Sequence, residues 1–307
     1  ALYVPTALAL LAEHHSTGTR AKAMAGHFSG LHAGMLAGGT FAGYAGDYYG
    51  WRSCFLILGG AGLLLAGLCW FTVYQNVPPA AGQAASSPPP RQSLGDALAG
   101  VLRIPSFLVL CLDSFLTSMS TWVFMNWLPL YYRETFGLSL TAAGFSGTFT
   151  LVAGTMAGVL AGGYISDRVA RRAAKYRMLM QAAGHLAGAP LLLVFASPAG
   201  LPVVVAAGVL FFVFRGSSQA NGHPMVCELV GAERWGTGLG TVIMVASVSG
   251  GVGVQLSGYL KSSFGLASIF AGASLMVLLN GVILIGGYLL FLERDLKRRA
   301  ALAGAAQ

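Results

Sequence analysis

The sequence predicts an all-α polytopic membrane protein, and three observations carry that prediction. Hydrophobic residues make up 55% of the 307 positions, with a mean hydropathy of +0.69. Charged residues make up 9%, against about 25% in a typical soluble domain, too few to cover a soluble particle of this size. The apolar residues fall in runs long enough to cross a bilayer, which takes about 20 residues per helix. These features exclude a soluble enzyme, a nucleic-acid binder and a disordered chain. The net charge of +8 lies mostly in short loops between apolar segments, not in one patch facing a polyanion.

Taken in order, the runs predict a partial span at Leu2–Leu11 and eight complete ones. The complete spans lie at roughly 24–46, 53–74, 106–130, 140–165, 178–196, 201–222, 237–260 and 266–292. The chain opens on Ala1, without a charged signal-peptide start or cleavage site, and its first run is too short to cross. A fragment lacking its first spans is therefore expected. Residues 75–102 include Pro78-Pro79 and Ser86-Ser87-Pro88-Pro89-Pro90, a composition that reads as a flexible linker. Four regions follow: a front part at 1–74, the linker at 75–102, a six-span back part at 103–294 and a basic tail at 295–307.

Lysine and arginine set the expected orientation. Of the 18, 14 fall on one set of loops and ends, three (Arg52, Arg133 and Lys261) fall on the other, and Arg215 lies inside a span. Cytoplasmic loops are the basic ones, so the linker and the C-terminus are expected in the cytoplasm of a bacterial-type inner membrane. The four cysteines form no CxxC pair and mostly sit in apolar runs. No phosphate loop, nucleophile elbow or metal-ligand spacing is present, so no metal, cofactor or enzymatic activity is expected.

Within the spans, glycine spacing and a few polar residues stand out. Gly26, Gly30, Gly34 and Gly38 recur every fourth residue, followed by Gly39 and Gly43, and Gly154, Gly158 and Gly162 repeat the device. Each series puts a smooth ridge on one helical face where another backbone can approach closely. Arg215 sits about midway along its span, where a charge is costly unless paired or wet, with Gln219 one turn on. A guanidinium in a wet cavity can grip a carboxylate or phosphate with two bonds; an internal ion pair that serves folding is the alternative. Asp113 is the natural counterpart. It shares a helical face with Thr117, Ser120, Phe124, Trp127 and Tyr131, and a desolvated carboxylate there could carry a proton. Its closeness to the helix end leaves a solvated role open. His185 reads as a packing contact more than a proton relay. His223-Pro224 is expected to close its span with a kink.

At 163–172 the residues Gly163-Tyr164-Ile165-Ser166-Asp167-Arg168-Val169-Ala170-Arg171-Arg172 resemble the G-x-x-x-D-R-x-G-R-R loop of the major facilitator superfamily, with Ala170 in place of the second glycine. An acidic residue at a helix end beside an arginine cluster can bond the neighbouring helix end; an ordinary positive-inside loop is the plainer alternative. Gly50-Trp51-Arg52-Ser53-Cys54-Phe55 resembles the family's GWR-x-x-F at the start of its sixth helix, and Trp127-Leu128-Pro129-Leu130-Tyr131 resembles the end of its seventh. The resemblance implies a twelve-helix bundle of two halves, present here from part of the fourth helix through the twelfth. Roughly 100 residues would be missing at about 30 per helix and loop. The organic anion:cation symporter and sugar-phosphate permease branches look most similar. No proline lies between Pro5 and Pro78, which disfavours the drug/proton antiporters with their Gly-Pro signature.

That resemblance implies a secondary transporter for a small organic anion such as a sugar acid or carboxylate, working by alternating access. Protons or another cation would couple to it, and a monomer in the lipid bilayer, without nucleic acid, is expected. Substrate candidates are Arg215, Gln219, Asp113, Thr117 and Trp127, with Asp113 also the coupling candidate. Gly163, Asp167, Arg168, Arg171 and Arg172 would form the gating motif. Both glycine series would lie where the two halves meet, as moving seams or as static packing. The rival readings are a polytopic membrane enzyme, for which no acid/base or nucleophile cluster is visible, and a non-transporting truncated protein.

Overall fold

The computed structural model describes residues 17–71, 93–170, 173, 175–231 and 234–305. Most of the expected linker, Arg171, Arg172 and the side chain of Asp167 lie outside the described residues. Among the described residues nine α-helices follow in order: α1 Thr17–Tyr48, α2 Trp51–Cys69, α3 Leu94–Leu102, α4 Pro105–Phe136, α5 Leu140–Ala170, α6 Tyr176–Gly188, α7 Leu201–Leu229, α8 Trp235–Gly287 and α9 Glu293–Ala305. There is no strand among the described residues. By length and composition six of the described segments can each cross a membrane: α2, α4, α5, α6 together with the stretch that follows it to Ala196, α7 and α8.

The sequence explains most of the boundaries. Pro105 occupies the first turn of α4, where its missing N–H costs nothing. Gly137, at φ 66°, ends that helix in the left-handed conformation that glycine adopts most cheaply. α6 tightens into a 3-10 stretch at Ala189–Ala196, with Pro190 in its first turn. Within α8, Gly265 at φ 70° and ψ 163° breaks the rod into limbs 235–264 and 266–287, since only glycine enters that region freely. These limbs correspond to the last two expected spans.

Two expectations change. Residues 94–102, placed by composition in the linker, form α3: the Ser93 hydroxyl accepts from the Asp96 N–H at 3.1 Å, an N-cap, and Val101 is buried against the bundle. α7 does not close at His223-Pro224 but runs on to Leu229 with Pro224 inside it. Helix packing and burial there outweigh the loss of one backbone hydrogen bond.

α4 to α8 pack into one bundle, with α4 against α8 and α5 against α7 as the most extensive pairings. Its basic end carries Arg103, Arg168, Arg177 and Arg234, and its far end carries Arg133 and Lys261. Two hydrophobic clusters stack along it. The far-end cluster holds Phe124, Tyr131, Phe195, Phe211 and Phe270, with Phe124 stacked on Phe270 at 4.3 Å between ring centroids. The basic-end cluster holds Phe107, Met178, Met225, Leu284 and Leu292. A π-helical turn at Tyr288–Leu292 carries α8 on into α9 at the basic end, where Asp295 accepts from the Ser106 N–H and hydroxyl at 2.9 and 2.7 Å. Those bonds satisfy a donor at the start of α4.

α1 leans on α5 alone among the bundle helices in any extensive way. α2 is almost wholly uncovered, with 6% of its most apolar window buried against 50% for α6 and its 3-10 extension.

Candidate functional site

Between the two hydrophobic clusters, at mid-depth, lies a polar cavity of about 250 Å³. α4 supplies Asp113, Thr117 and Thr121, α6 supplies His185, α7 supplies Arg215, Gln219 and His223, and the first limb of α8 closes one side with Val242 and Ala246. These positions share the cavity because the polar residues of α4 recur every fourth residue on one stripe. Arg215 stands one turn before Gln219 on the facing helix.

Arg215 is held by its edges. Its Nε donates to the Thr121 hydroxyl at 2.6 Å, and its Nη1 donates to Gln219 Oε1 at 3.0 Å. Thr121 in turn donates to the Thr117 carbonyl at 2.7 Å, which leaves its oxygen free to accept from Arg215. A guanidinium carries five N–H groups in a fixed fork. Two of them are used here, and the fork is oriented before any ligand arrives.

Asp113 does not pair with Arg215. Its Oδ1 lies 3.0 Å from His185 Nε2, accepts from Asn280 Nδ2 at 2.9 Å and accepts from the Thr117 hydroxyl at 3.3 Å. Asn280 comes from the second limb of α8 and is 1% exposed; its Nδ2 also reaches Thr117 Oγ1 at 2.9 Å. Sequence reasoning passed over His185 as packing and did not single out Asn280. The signal available was a polar residue within an apolar span, which costs enough to be rare and functional.

Of the sequence-predicted substrate residues, Arg215, Gln219, Asp113 and Thr117 line this one cavity. Trp127 does not. Its indole N–H donates to the Ser257 hydroxyl at 2.8 Å, and Lys261 Nζ lies 5.6 Å from its ring centroid, near the far end. The stripe divides because Phe124 and Tyr131 enter the aromatic cluster and Ser120 lines a separate apolar pocket with Met119, Gly253 and Leu256.

In the expected gating motif, Gly163 has no atom within 4 Å of where a Cβ would stand. Arg168 stacks over Tyr164, with its Cζ 4.3 Å from the ring centroid. Ser166 does the tying: it donates to Asn221 of α7 and accepts from Arg177 Nη1 of α6 at 2.7 Å.

The glycine series part company. Gly154, Gly158 and Gly162 press α5 onto α7, inside the bundle; a Cβ on Gly158 would fall 2.8 Å from the Val213 Cα. Among the described residues, Gly26, Gly30, Gly34 and Gly38 have no atom of another element within 4 Å of that position. Gly39 and Gly43 make the α1–α5 contact instead, against Thr148 and the Leu140–Thr141 backbone, with Gly144 facing the Gly39 carbonyl. Near that contact Asp47 accepts from the Leu140 N–H (3.0 Å), the Thr141 N–H (2.8 Å) and the Thr141 hydroxyl (2.7 Å). It thereby caps α5 from another helix. The Thr141 hydroxyl, then the Thr141 and Leu140 amides, hold the Asp47 carboxyl below its ordinary value of 3.8.

Comparison with known proteins agrees with this architecture. The chain is 23% identical over 290 residues to a probable anion transporter 4, chloroplastic, of Oryza sativa subsp. japonica, covering 86% of this chain and 46% of that one. It is 25% identical over 280 residues to an MFS-type efflux pump of Mycolicibacterium smegmatis, covering 87% and 61%. A probable galactarate/D-glucarate transporter of Bacillus subtilis is 24% identical over 268 residues, covering 80% and 58%. The chain thus spans less than two thirds of the length of these relatives. Among solved structures, a bacterial homologue of the human lysosomal transporter Spinster superposes with a TM-score of 0.71 at 17% identity, covering 96% of this chain and 75% of that one. The profile of the Major Facilitator Superfamily matches residues 1–213, and the chain, an all-α membrane bundle, belongs to that family.

Proposed function

We propose that the chain works in secondary transport of a small organic anion, a sugar acid or another carboxylate, with Arg215 as the anchor for the anionic group. The observation that carries this reading is the guanidinium at the middle of α7, oriented by Thr121 and Gln219 and otherwise open to a polar cavity. Buried cations in spans mark substrate paths, and a fixed fork suits a carboxylate. Two relatives are named for anions or sugar acids, which supports the class; the efflux pump among them leaves direction to experiment.

Alternating access is the mode that fits the α1–α5 contact. α1 meets α5 at its far end through Gly39, Gly43 and Asp47 and, among the described residues, touches nothing along Gly26 to Gly38. A seam closed at one end and free at the other suits rocking of one half on the other. The basic end faces the cytoplasm of the inner membrane in this reading, by the excess of lysine and arginine there. The protein acts as a monomer, with protons or another cation as coupling partner. Ser166, Asn221 and Arg177, beside Asp167, form the cytoplasmic ties.

The test is uptake of a panel of labelled monocarboxylates and their neutral alcohol analogues by cells expressing wild-type protein or Arg215→Lys. The lysine keeps the charge and loses the fork, so carboxylate uptake falls at least about tenfold, one bidentate contact being worth roughly 1.5–3 kcal/mol. Undiminished carboxylate uptake by a well-expressed Arg215→Lys protein removes Arg215 from the substrate site.

A further inference from the structure

We infer, resting on the anion reading of Arg215, that Gln181 determines specificity in the same cavity. Its buried amide, reached past Gly222, selects acids that carry a hydroxylated chain over plain alkyl acids of the same length.

Gln181 stands on α6, one turn before His185, and is 1% exposed. Neither its Nε2 nor its Oε1 has a hydrogen-bond partner among the described residues. Inside a span this is a costly arrangement, because an amide taken out of water needs a polar group to answer it. The backbone around it is already engaged. The Gln181 carbonyl accepts from the Ser218 hydroxyl at 2.9 Å, and the neighbouring N–H groups belong to the helical ladders of α6 and α7. The side chain therefore keeps two N–H donors and one carbonyl for whatever comes to it from α7.

On α7 the residue that meets it is Gly222. A Cβ on Gly222 would stand 3.8 Å from Gln181 Nε2, and Gly222 lines the polar cavity. The glycine thus leaves a gap between amide and cavity that any side chain would narrow. Arg215, Ser218 and Gly222 follow at i, i+3 and i+7, on one face of α7, and all three line the cavity. The one hydrogen of Ser218 is engaged by the Gln181 and Phe214 carbonyls, so it adds no free donor. From Arg215 to Gly222 the rise is about 10 Å. An extended six-carbon acid is about 6 Å long, and a hydrogen bond of about 3 Å at each end lets it bridge that distance; a three-carbon acid falls short. Water reaching past Gly222 can satisfy the amide in the free protein. A substrate hydroxyl replaces that water bond for bond, whereas a methylene displaces it and leaves the amide unanswered.

The experiment is calorimetric binding of D-gluconate, hexanoate and D-glycerate to the purified protein. Wild type prefers gluconate to hexanoate, and Gln181→Leu, which removes the amide at similar volume, cuts that preference by about tenfold. D-glycerate, too short to reach, binds both proteins equally. Gly222→Ala lowers the preference in the same direction, and its methyl meets Gln181 only at ordinary contact distance, so it keeps the test open should Gln181→Leu fold poorly. A preference that survives both variants overturns the inference, as does a wild type without one. An equal loss of gluconate and hexanoate in Gln181→Leu also overturns it, since that marks an amide that serves packing alone. Arg215→Lys separates the two readings, because the anchor holds the carboxylate that all three acids share. Weaker binding of all three there, with the preference unmoved by Gln181→Leu and Gly222→Ala, keeps the anion anchor and sinks the role of Gln181. Wild-type binding of all three by Arg215→Lys, with the preference lost in the other two variants, keeps Gln181 and counts against the anchor.

Discussion

Two glycine-lined seams run along α5, and they are built differently. On one face Gly154, Gly158 and Gly162 meet Val209, Val213 and Ser217 of α7, with Gly216 returning the contact against Thr155 and Val159. That contact extends over more than two turns of α5. On the other face α1 touches α5 around Gly39, Gly43 and Gly144, and its earlier glycines meet no other element among the described residues. The same four-residue spacing therefore serves a continuous joint inside a half and a one-ended joint between α1 and the bundle. Spacing says that a backbone can come close; which backbone comes close, and over what length, is decided by tertiary structure.

The comparison can be broken most forcefully at Gly158. Gly158→Leu drives a side chain into the Val213 backbone, where no rotamer can yield, and destabilises the detergent-solubilised protein by about 3 kcal/mol. A thermal midpoint unchanged from wild type would mean that α5 and α7 are not in continuous contact. Gly43→Val comes next, with its added group against Leu140 and Thr141. It weakens docking of α1 by about 2 kcal/mol but leaves the α5–α7 bundle folded, so proteolysis cuts α1 free while α4 to α8 stay protected.

A smaller effect attaches to Asp47. Its folded value is depressed, so its contribution is fully present above its ordinary value of 3.8 and is lost as the pH falls through the lower folded value. Carboxyl NMR of Asp47 should show titration below the ordinary range, and Thr141→Ala should move it back up. Asp47→Asn speeds hydrogen exchange at the Leu140 and Thr141 amides and leaves α7 amides unchanged. The smallest effect belongs to Gly30→Ala, which has no neighbour to strike among the described residues and raises stability by about 1 kcal/mol at most, the helix-propensity gain.

Much of the bundle was legible in the sequence because span length and apolar runs are local properties. The break at Gly265 could be placed between two runs, and Arg215 declared itself as a charge inside one. What was not legible depends on contacts between distant positions. Asp113 was expected to face Arg215, yet His185 and Asn280 surround its carboxylate, 72 and 167 residues away along the chain. Trp127 shares a helical stripe with Asp113, but several turns of α4 separate them, so a wheel projection merges residues that occupy different depths. α3 was hidden in a Pro/Ser-rich stretch, though Ser93-x-x-Asp96 before an apolar run was a usable start signal.

The central claim is that α1 moves against α5 while α5 stays fixed on α7, and distances between spin labels test it most directly. In protein whose native cysteines have been replaced, one pair is placed at Leu31 of α1 and Leu160 of α5, and a second at Leu160 and Leu210 of α7. All three residues are exposed. Adding a transported carboxylate should shift the 31–160 distribution and leave the 160–210 distribution single and unchanged. Equal shifts in both pairs, or no shift in the first while transport proceeds, would contradict the account.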